Sequence, residues 1–180
     1  MKRPIGLTAI ASAFLLMSTF AHAQEISGSI HVRGDILKPH QWTVSDLKHQ
    51  FLKETQTTKF TNGEDKEQHI GTGIPLLSLL LAAEPRTEKV PKHYDLTFLV
   101  ILEALDHYRV FFSLAELQPS CGRARAFLIW DVDGKPLSAK EAPLRLVVLS
   151  DQGHDRYIYG IASTSLVDGT RLANQFPANR

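Results

Sequence analysis

The sequence predicts an α+β fold: a β-rich single domain with mixed sheets and short helices. Several segments either alternate apolar and polar residues or, like residues 96–102, are nearly continuously apolar over the length of a strand. Turn signals such as Asn62-Gly63 and Asp133-Gly134 separate these segments, and the helical signals between them are brief. No internal repeat or long linker divides the chain, so we expect one domain over residues 24–180.

Residues 1–23 have the pattern of a secretory signal peptide. Lys2 and Arg3 precede an apolar run over residues 5–20, and Ala21-His22-Ala23 offers a small-residue cleavage site. The run is shorter than the roughly 20 apolar residues of a bilayer-spanning helix. We therefore expect cleavage after Ala23 and a periplasmic or secreted domain without a transmembrane segment.

Charge and cysteine content narrow the functional classes. Residues 24–180 carry 18 basic and 19 acidic side chains, because residues 1–23 hold two of the 20 basic residues and none of the acidic ones. This near-neutral balance, without a basic stripe, argues against a nucleic-acid partner. Cys121 is the single cysteine, so no internal disulfide can form and the apolar core must stabilise the fold.

The first elements are predicted to be two strands around a short helix. Residues 26–32 alternate apolar and polar side chains and predict an opening strand, which Gly28 on the apolar face suggests is at a sheet edge. Ser45 or Thr43 can cap a short helix that runs toward Phe51. Residues 55–61 then predict a polar strand that ends at the Asn62-Gly63 turn.

A leucine-rich helix and a hairpin follow. Pro75 in the first turn opens the helix and Pro85 ends it. Nearly every position over residues 76–83 is apolar, which favours a core helix over a partner surface. Residues 96–102 and 108–112 predict the two strands of the hairpin.

The last third is predicted to hold one short helix and three further strands. Ser113 and Glu116 have the spacing of a capping box. The strands are predicted at residues 126–130, 144–149 and 157–161, with a tight turn at Asp133-Gly134 after the first of them.

Common catalytic and metal-binding patterns are missing. The histidines after residue 23 form no close metal-ligand pair; they are His31, His40, His49, His69, His93, His107 and His154. Neither a Gly-x-Ser-x-Gly elbow nor a glycine-rich nucleotide loop occurs. The sequence therefore predicts no metal site and identifies no catalytic residue.

The order of these elements resembles the molybdopterin-binding oxidoreductase domains of the sulfite oxidase type. The resemblance covers residues 26–167 and depends on three segments: Gly73-Ile74-Pro75-Leu76 before the leucine-rich helix, the turn over residues 133–137, and Ala142-Pro143-Leu144-Arg145 in a strand. It implies a sulfite oxidase-like fold with a cleft for the pterin cofactor.

The resemblance also implies a metal-ligating cysteine roughly a dozen residues before Gly73, near Thr61 in this chain. Threonine cannot supply a thiolate, and Cys121 lies much later in the sequence. In addition, the short basic segment Lys2-Arg3-Pro4 indicates export of an unfolded chain, which could not retain the cofactor. We therefore expect no cofactor, with molybdopterin as the alternative that the family implies.

The remaining cofactor contacts implied by the resemblance fall on Thr61, Lys140, Arg145, His154 and Arg156. Arg145 matches an arginine that reaches the cofactor's phosphate. Its alternative is a buried ion pair with Asp131, Asp133 or Glu141. Lys140 occupies a position that is often asparagine in the family. His154 and Arg156 lie in a loop that contacts the pterin in the family, and the alternative is an ordinary solvated turn.

Three functional hypotheses follow. In the first, an exported domain without the thiolate binds a small anion or an envelope protein partner through the inherited cleft, which would also include His69. In the second, the protein is a molybdopterin-dependent oxidoreductase or its accessory subunit, acts on an oxyanion or a sulfoxide, and needs Cys121 as ligand. In the third, the domain is a structural scaffold, since a fold does not fix a function.

Overall fold

The computed structural model describes residues 28–87, 93–173 and 175, so the predicted signal peptide and its cleavage site lie outside the described residues. The strands are β1 (Ser29–Gly34), β2 (His40–Thr43), β3 (Gln56–Thr61), β4 (Gln68–Pro75), β5 (Phe98–Ala104), β6 (Arg109–Ser113), β7 (Ala126–Val132), β8 (Lys135–Pro136), β9 (Arg145–Val148) and β10 (Ile161–Asp168). The α-helices are α1 (Val44–Gln50), α2 (Leu76–Ala82), α3 (Leu114–Leu117) and α4 (Gly169–Ala173).

The strands form two five-stranded sheets. The first has the order β2-β1-β10-β5-β6, in which β1 and β10 are parallel and the other pairs are antiparallel. The second has the order β3-β4-β7-β8, with β9 also paired to β7. Strands thus dominate the described chain and the helices are short, which confirms the predicted α+β class.

The second sheet is apolar on both faces. Leu128 and Trp130 of β7 join the main core, which also takes side chains from the first sheet and from α1 to α3. The alternate residues Phe127 and Ile129 join a smaller cluster with Phe60 of β3 and Val147 of β9. Because successive side chains of a strand point to opposite faces, this smaller cluster lies on the outer face of the sheet. It forms the base of the candidate site described below.

The prediction that the opening strand lies at a sheet edge was wrong. β1 is flanked by β2 on one side and by β10 on the other. Its polar residues His31 and Arg33 are exposed, whereas Ile30 and Val32 are buried. The alternation of apolar and polar residues therefore reflects one solvent-exposed face of the sheet. It does not indicate whether other strands pair with β1 on one side or on both.

The N-terminal caps of α1 and α3 agree with the sequence predictions, except that only half of the second capping box forms. Thr43, not Ser45, caps α1, and its side chain and that of Asp46 form a reciprocal capping box. The hydroxyl of Ser113 accepts a hydrogen bond from the Glu116 backbone N–H at 3.0 Å, which is half of the predicted box. The carboxylate of Glu116 instead binds Arg156, a residue 40 positions later.

The leucine-rich helix α2 is only partly in the core. Pro75 is the last residue of β4 and caps the helix from outside its first turn. Leu76, Leu79 and Leu80 are fully buried, as the prediction of a core helix requires. Leu81 is 44% exposed and Leu77 is half-buried, so the opposite side of α2 reaches the surface.

The turn after β7 agrees with its prediction, whereas the last predicted strand is shifted. Asp133 and Gly134 both have positive φ, at 53° and 74°, as a type I′ hairpin turn requires. Residues 157–161 were predicted as a strand but contain a single bridge, between Ile158 and Leu146. Gly160 turns the chain with a φ of 61°, and the regular strand β10 begins only at Ile161.

None of the helices in the described ranges has both the length and the apolar character that a membrane crossing demands.

Candidate functional site

A polar cleft of about 550 Å³ opens on the outer face of the second sheet, between β3 and the loop over residues 149–157. It is lined by Thr58, Lys59, Phe60, Thr61, Gln68, Arg125, Leu149, Asp151, Gln152, His154 and Tyr157. Of the five site residues implied by the resemblance, Thr61 and His154 meet here although they are far apart in sequence. We refer to this feature as the polar cleft.

Backbone and aromatic contacts hold the 149–157 loop over the sheet. The Leu149 N–H donates to the Arg125 carbonyl at 2.9 Å. The ring of Tyr157 packs edge-on against Phe60, with centroids 6.3 Å apart, and against His154, with centroids 4.9 Å apart. A side chain added at Gly63 would come within 3.2 Å of His154, so the 62–63 turn also abuts the imidazole. His154 is thus positioned from two sides.

Arg156 braces this loop from within and does not line the polar cleft. Its guanidinium donates to both carboxylate oxygens of Asp151, with the Nε contact at 2.7 Å, and to Glu116 Oε1 at 2.7 Å. It also lies over the ring of Phe112 at 4.4 Å from the centroid. The hydrogen bonds that Arg156 donates to Asp151 and Glu116 raise its pKa further above the ordinary value. The geometry gives Arg156 a positioning role in this loop, and the cofactor contact implied by the resemblance stays a prediction.

Arg145 is buried beside the polar cleft, with 2% of its surface exposed. Its Nη1 donates to Glu141 Oε1 at 3.1 Å and its Nη2 to Asn62 Oδ1 at 3.2 Å. The guanidinium lies between the rings of Phe60 and Tyr159, 4.8 Å and 4.5 Å from their centroids. Of the three ion-pair partners left open by the sequence, the structure selects Glu141.

The Nε of Arg145 has no hydrogen-bond partner within the described chain, although it is buried. A buried donor without a partner costs free energy, and such atoms concentrate at sites with a function. Lys140 lies close by but is exposed; its Nζ is 3.8 Å from Glu64 and 5.6 Å from the centroid of Tyr159. Lys140 and Arg145 therefore meet around Tyr159, outside the lining of the polar cleft.

The polar cleft has an excess of positive charge. Lys59 and Arg125 line it, and His154 adds an imidazole. Its one carboxylate, Asp151, is already neutralised by the paired hydrogen bonds from Arg156. The motif comparison did not point to Lys59, Arg125 or Asp151. The sequence nevertheless contains a signal for Arg125, because this charged residue directly precedes the continuously apolar segment that begins β7.

His69 belongs to a separate polar group and does not line the polar cleft. Its Nδ1 is 2.7 Å from Asp133 Oδ2 and its Nε2 is 3.2 Å from Asp65 Oδ2. These carboxylates raise the pKa of His69, and the imidazole in turn lowers the pKa of Asp133. His69, Asp65 and Glu67 offer ligand atoms within 4.8 Å of one another, the one such trio in the described ranges. Both imidazole nitrogens face carboxylates, so the histidine joins the turn that contains Asp65 to the turn that contains Asp133.

We expect His69→Gln to destabilise the protein most near pH 6 and least near pH 9. The folded-state pKa of His69 is raised, so its stabilising contribution is complete below the ordinary pKa and is lost as the pH rises through the folded value. Urea unfolding of both proteins at several pH values measures this difference. His49→Gln, a change in an exposed histidine of α1, serves as the control. An unfolding difference for His69→Gln that stays constant with pH contradicts the assignment.

The polar cleft does not fit a thiolate-ligated molybdenum centre. Its lining residues offer hydroxyl, amide, imidazole, phenol and carboxylate groups, and none of them is a cysteine. Thr61 lies in the cleft at the position near which the family's ligand is expected. Cys121 is exposed in the turn after α3, where its N–H donates to the Gln118 carbonyl. A soft sulfur ligand for a high-valent metal is therefore not provided by the residues that form the cleft.

Comparison with known proteins shows similarity in fold. No protein-family model matches the chain, and no curated protein matches it in sequence. A solved structure that matches is the sulfane dehydrogenase SoxCD from Paracoccus pantotrophus, with a TM-score of 0.56 and 17% sequence identity. The match covers 78% of this chain and 38% of that chain, so this protein spans well under half of the dehydrogenase chain. At this identity the match supports the fold alone, and it is consistent with the sulfite oxidase-like fold implied by the sequence.

Proposed function

We propose that this protein is an exported binding protein that holds a small oxyanion in the polar cleft and has no working molybdenum centre. The observation that carries this proposal is the uncompensated positive charge of the cleft. Lys59, Arg125 and His154 surround a space whose single carboxylate is fully occupied by Arg156. The leader-like residues 1–23 support the exported location.

The chemistry of the lining favours an oxyanion over a neutral polar ligand. Arginine and lysine form their strongest hydrogen bonds with ionised oxygens. Thr58 and Thr61 line the β3 side and Gln152 lines the loop side, and their hydroxyl and amide groups can donate hydrogen bonds. Donors therefore converge from both walls, which is the arrangement that orients a small ligand in a pocket of this size.

The enzymatic alternative, a molybdopterin-dependent oxidoreductase or accessory subunit, requires a thiol ligand at the metal. Cys121 does not line the polar cleft, and Thr61 cannot replace it. Metal analysis of the protein isolated from its native compartment separates the two functions. We expect no stoichiometric molybdenum or tungsten, and finding either metal at one per chain would overturn the proposal.

We expect sulfate, sulfite or phosphate to bind the full-length mature protein saturably in calorimetric titrations, and Arg125→Gln to weaken that binding about tenfold. Loss of one charge-assisted hydrogen bond of about 1.5 kcal/mol corresponds to that factor. Arg123→Gln is the matched control, because this arginine lies two residues away and outside the polar cleft. Equal weakening by the two substitutions, or no saturable binding of any of the three anions, contradicts the proposed site.

A further inference from the structure

We propose that a second, apolar groove binds a small amphiphile with an aliphatic body and one carboxylate. The groove has a volume of about 590 Å³ and lies between α2 and the segment that joins α3 to β7. This volume is within the range of small-molecule sites, which are mostly apolar and have a few polar groups that fix the orientation of the ligand. We refer to it as the amphiphile groove.

The first wall is the outer side of α2. Leu77 and Leu81, with Ser78 between them, face the amphiphile groove, while their neighbours in the helix are buried in the core. Spacing of three and four residues places these side chains on one side of the helix. Leu77 packs partly against the main core, whereas Leu81 is 44% exposed, so this side of α2 keeps apolar surface open to the groove.

The second wall is a turn held rigidly against α3. Successive hydrogen bonds join the N–H groups of Gly122 and Ala124 to the carbonyls of Ala115 and Glu116, at 3.1 Å and 2.8 Å. A Cβ at Gly122 would lie 2.4 Å from the Glu116 Cα, so only glycine permits this approach. The turn therefore presents Leu117 and Pro119 in a fixed position opposite α2.

The charge of the amphiphile groove specifies the ligand's head group. Arg123 and Arg125 line the groove, and no acidic residue does. The Nε of Arg123 donates to the Pro119 carbonyl at 3.0 Å, which fixes the guanidinium beside the apolar wall. Neither arginine forms an ion pair in the part of the chain that the structure describes. An aliphatic chain against α2 with its carboxylate at these arginines satisfies both walls.

Titration of the mature protein with octanoate, octan-1-ol and acetate tests this inference. We expect octanoate to bind saturably, octan-1-ol to bind about tenfold more weakly because it lacks the charge, and acetate not to bind in the groove because it lacks the aliphatic body. Equal affinity for octanoate and octan-1-ol overturns the proposal. Absence of octanoate binding also overturns it, and self-association of the protein in sedimentation experiments would then favour a second copy in the groove.

Two substitutions locate the binding. We expect Leu81→Asp to weaken octanoate binding at least tenfold, and Arg123→Gln to remove the preference for octanoate over octan-1-ol. Leu52→Asp is the matched control, because Leu52 is 73% exposed and does not line the groove. Octanoate binding that Leu81→Asp leaves unchanged contradicts the site. Arg125 lines both the amphiphile groove and the polar cleft. We therefore also titrate Leu81→Asp with sulfate. Unchanged sulfate binding shows that this substitution altered the amphiphile groove and not the polar cleft.

Discussion

Replacing Arg145 with alanine is expected to lower the free energy of unfolding by about 3 kcal/mol, the lower end of the range for breaking a buried ion pair. The guanidinium is buried, and it is shared between the Glu141 carboxylate and the Asn62 side chain. Its removal takes one donor from each partner and opens a space between the rings of Phe60 and Tyr159. Glu141 is half-buried, so water can solvate the carboxylate that remains. We therefore expect the loss of unfolding free energy to stay below the upper end of the range for buried ion pairs.

Urea unfolding of the two proteins measures this loss. Lys140→Ala is the control, since Lys140 is exposed and makes only long contacts, at 3.8 Å with Glu64 and 5.6 Å from the Tyr159 centroid, and we expect it to change the stability by less than about 0.5 kcal/mol. Arg145→Lys keeps the charge but not the planar fork, so it should fall between wild type and alanine. An effect of Arg145→Ala as small as that of Lys140→Ala would contradict the structural role of the ion pair.

The sequence located Arg145 but could not decide its partner. A charged residue in an apolar strand can be recognised from the sequence alone, and it requires a partner wherever it is buried. Three acidic residues were close enough in sequence to provide one. The choice of Glu141, and the participation of Asn62 from a turn 83 residues away, depend on how β9 and the 62–67 loop meet in the fold.

Signals carried by adjacent residues predicted the individual caps, turns and hairpins better than they predicted which strands lie side by side in a sheet. The Thr43 cap, the Asp133-Gly134 turn and the hairpin of β5 and β6 each depend on a few adjacent residues, and the structure confirms them. The lateral position of β1 depends on its pairing with β10, more than 130 residues later, and was wrongly predicted. The same limit applies to residues 157–160, whose apolar side chains pack into the two core clusters while the segment forms only the single bridge at Ile158.

The residues of the candidate site were likewise predicted only in part. Thr61 and His154 were found through their family positions, and the fold brings both into the polar cleft. Lys59 and Arg125 were missed, because an exposed cation on a polar strand or before an apolar one has no distinctive pattern. The ion pairs of Arg156 were not predicted either, since the sequence does not show that Asp151 and Glu116 converge on it.

Replacing Arg156 with glutamine is expected to lower the free energy of unfolding by about 2 kcal/mol and to weaken oxyanion binding in the polar cleft. The stability loss follows from removal of hydrogen bonds between charged groups and of the contact with the Phe112 ring. The binding loss has a separate cause. Without Arg156, the Asp151 carboxylate faces the polar cleft uncompensated, and its negative charge repels the ligand.

This second effect distinguishes a positioning residue from a purely structural one. Combining Arg156→Gln with Asp151→Asn removes the exposed negative charge together with its partner, so we expect the double variant to regain most of the sulfate affinity while its stability stays low. Sulfate titration and urea unfolding of the single and double variants measure the two quantities independently. Affinity that follows stability in all variants would show that Arg156 acts only by holding the loop. Recovery of affinity without recovery of stability would show that the ion pair with Asp151 sets the charge of the cleft.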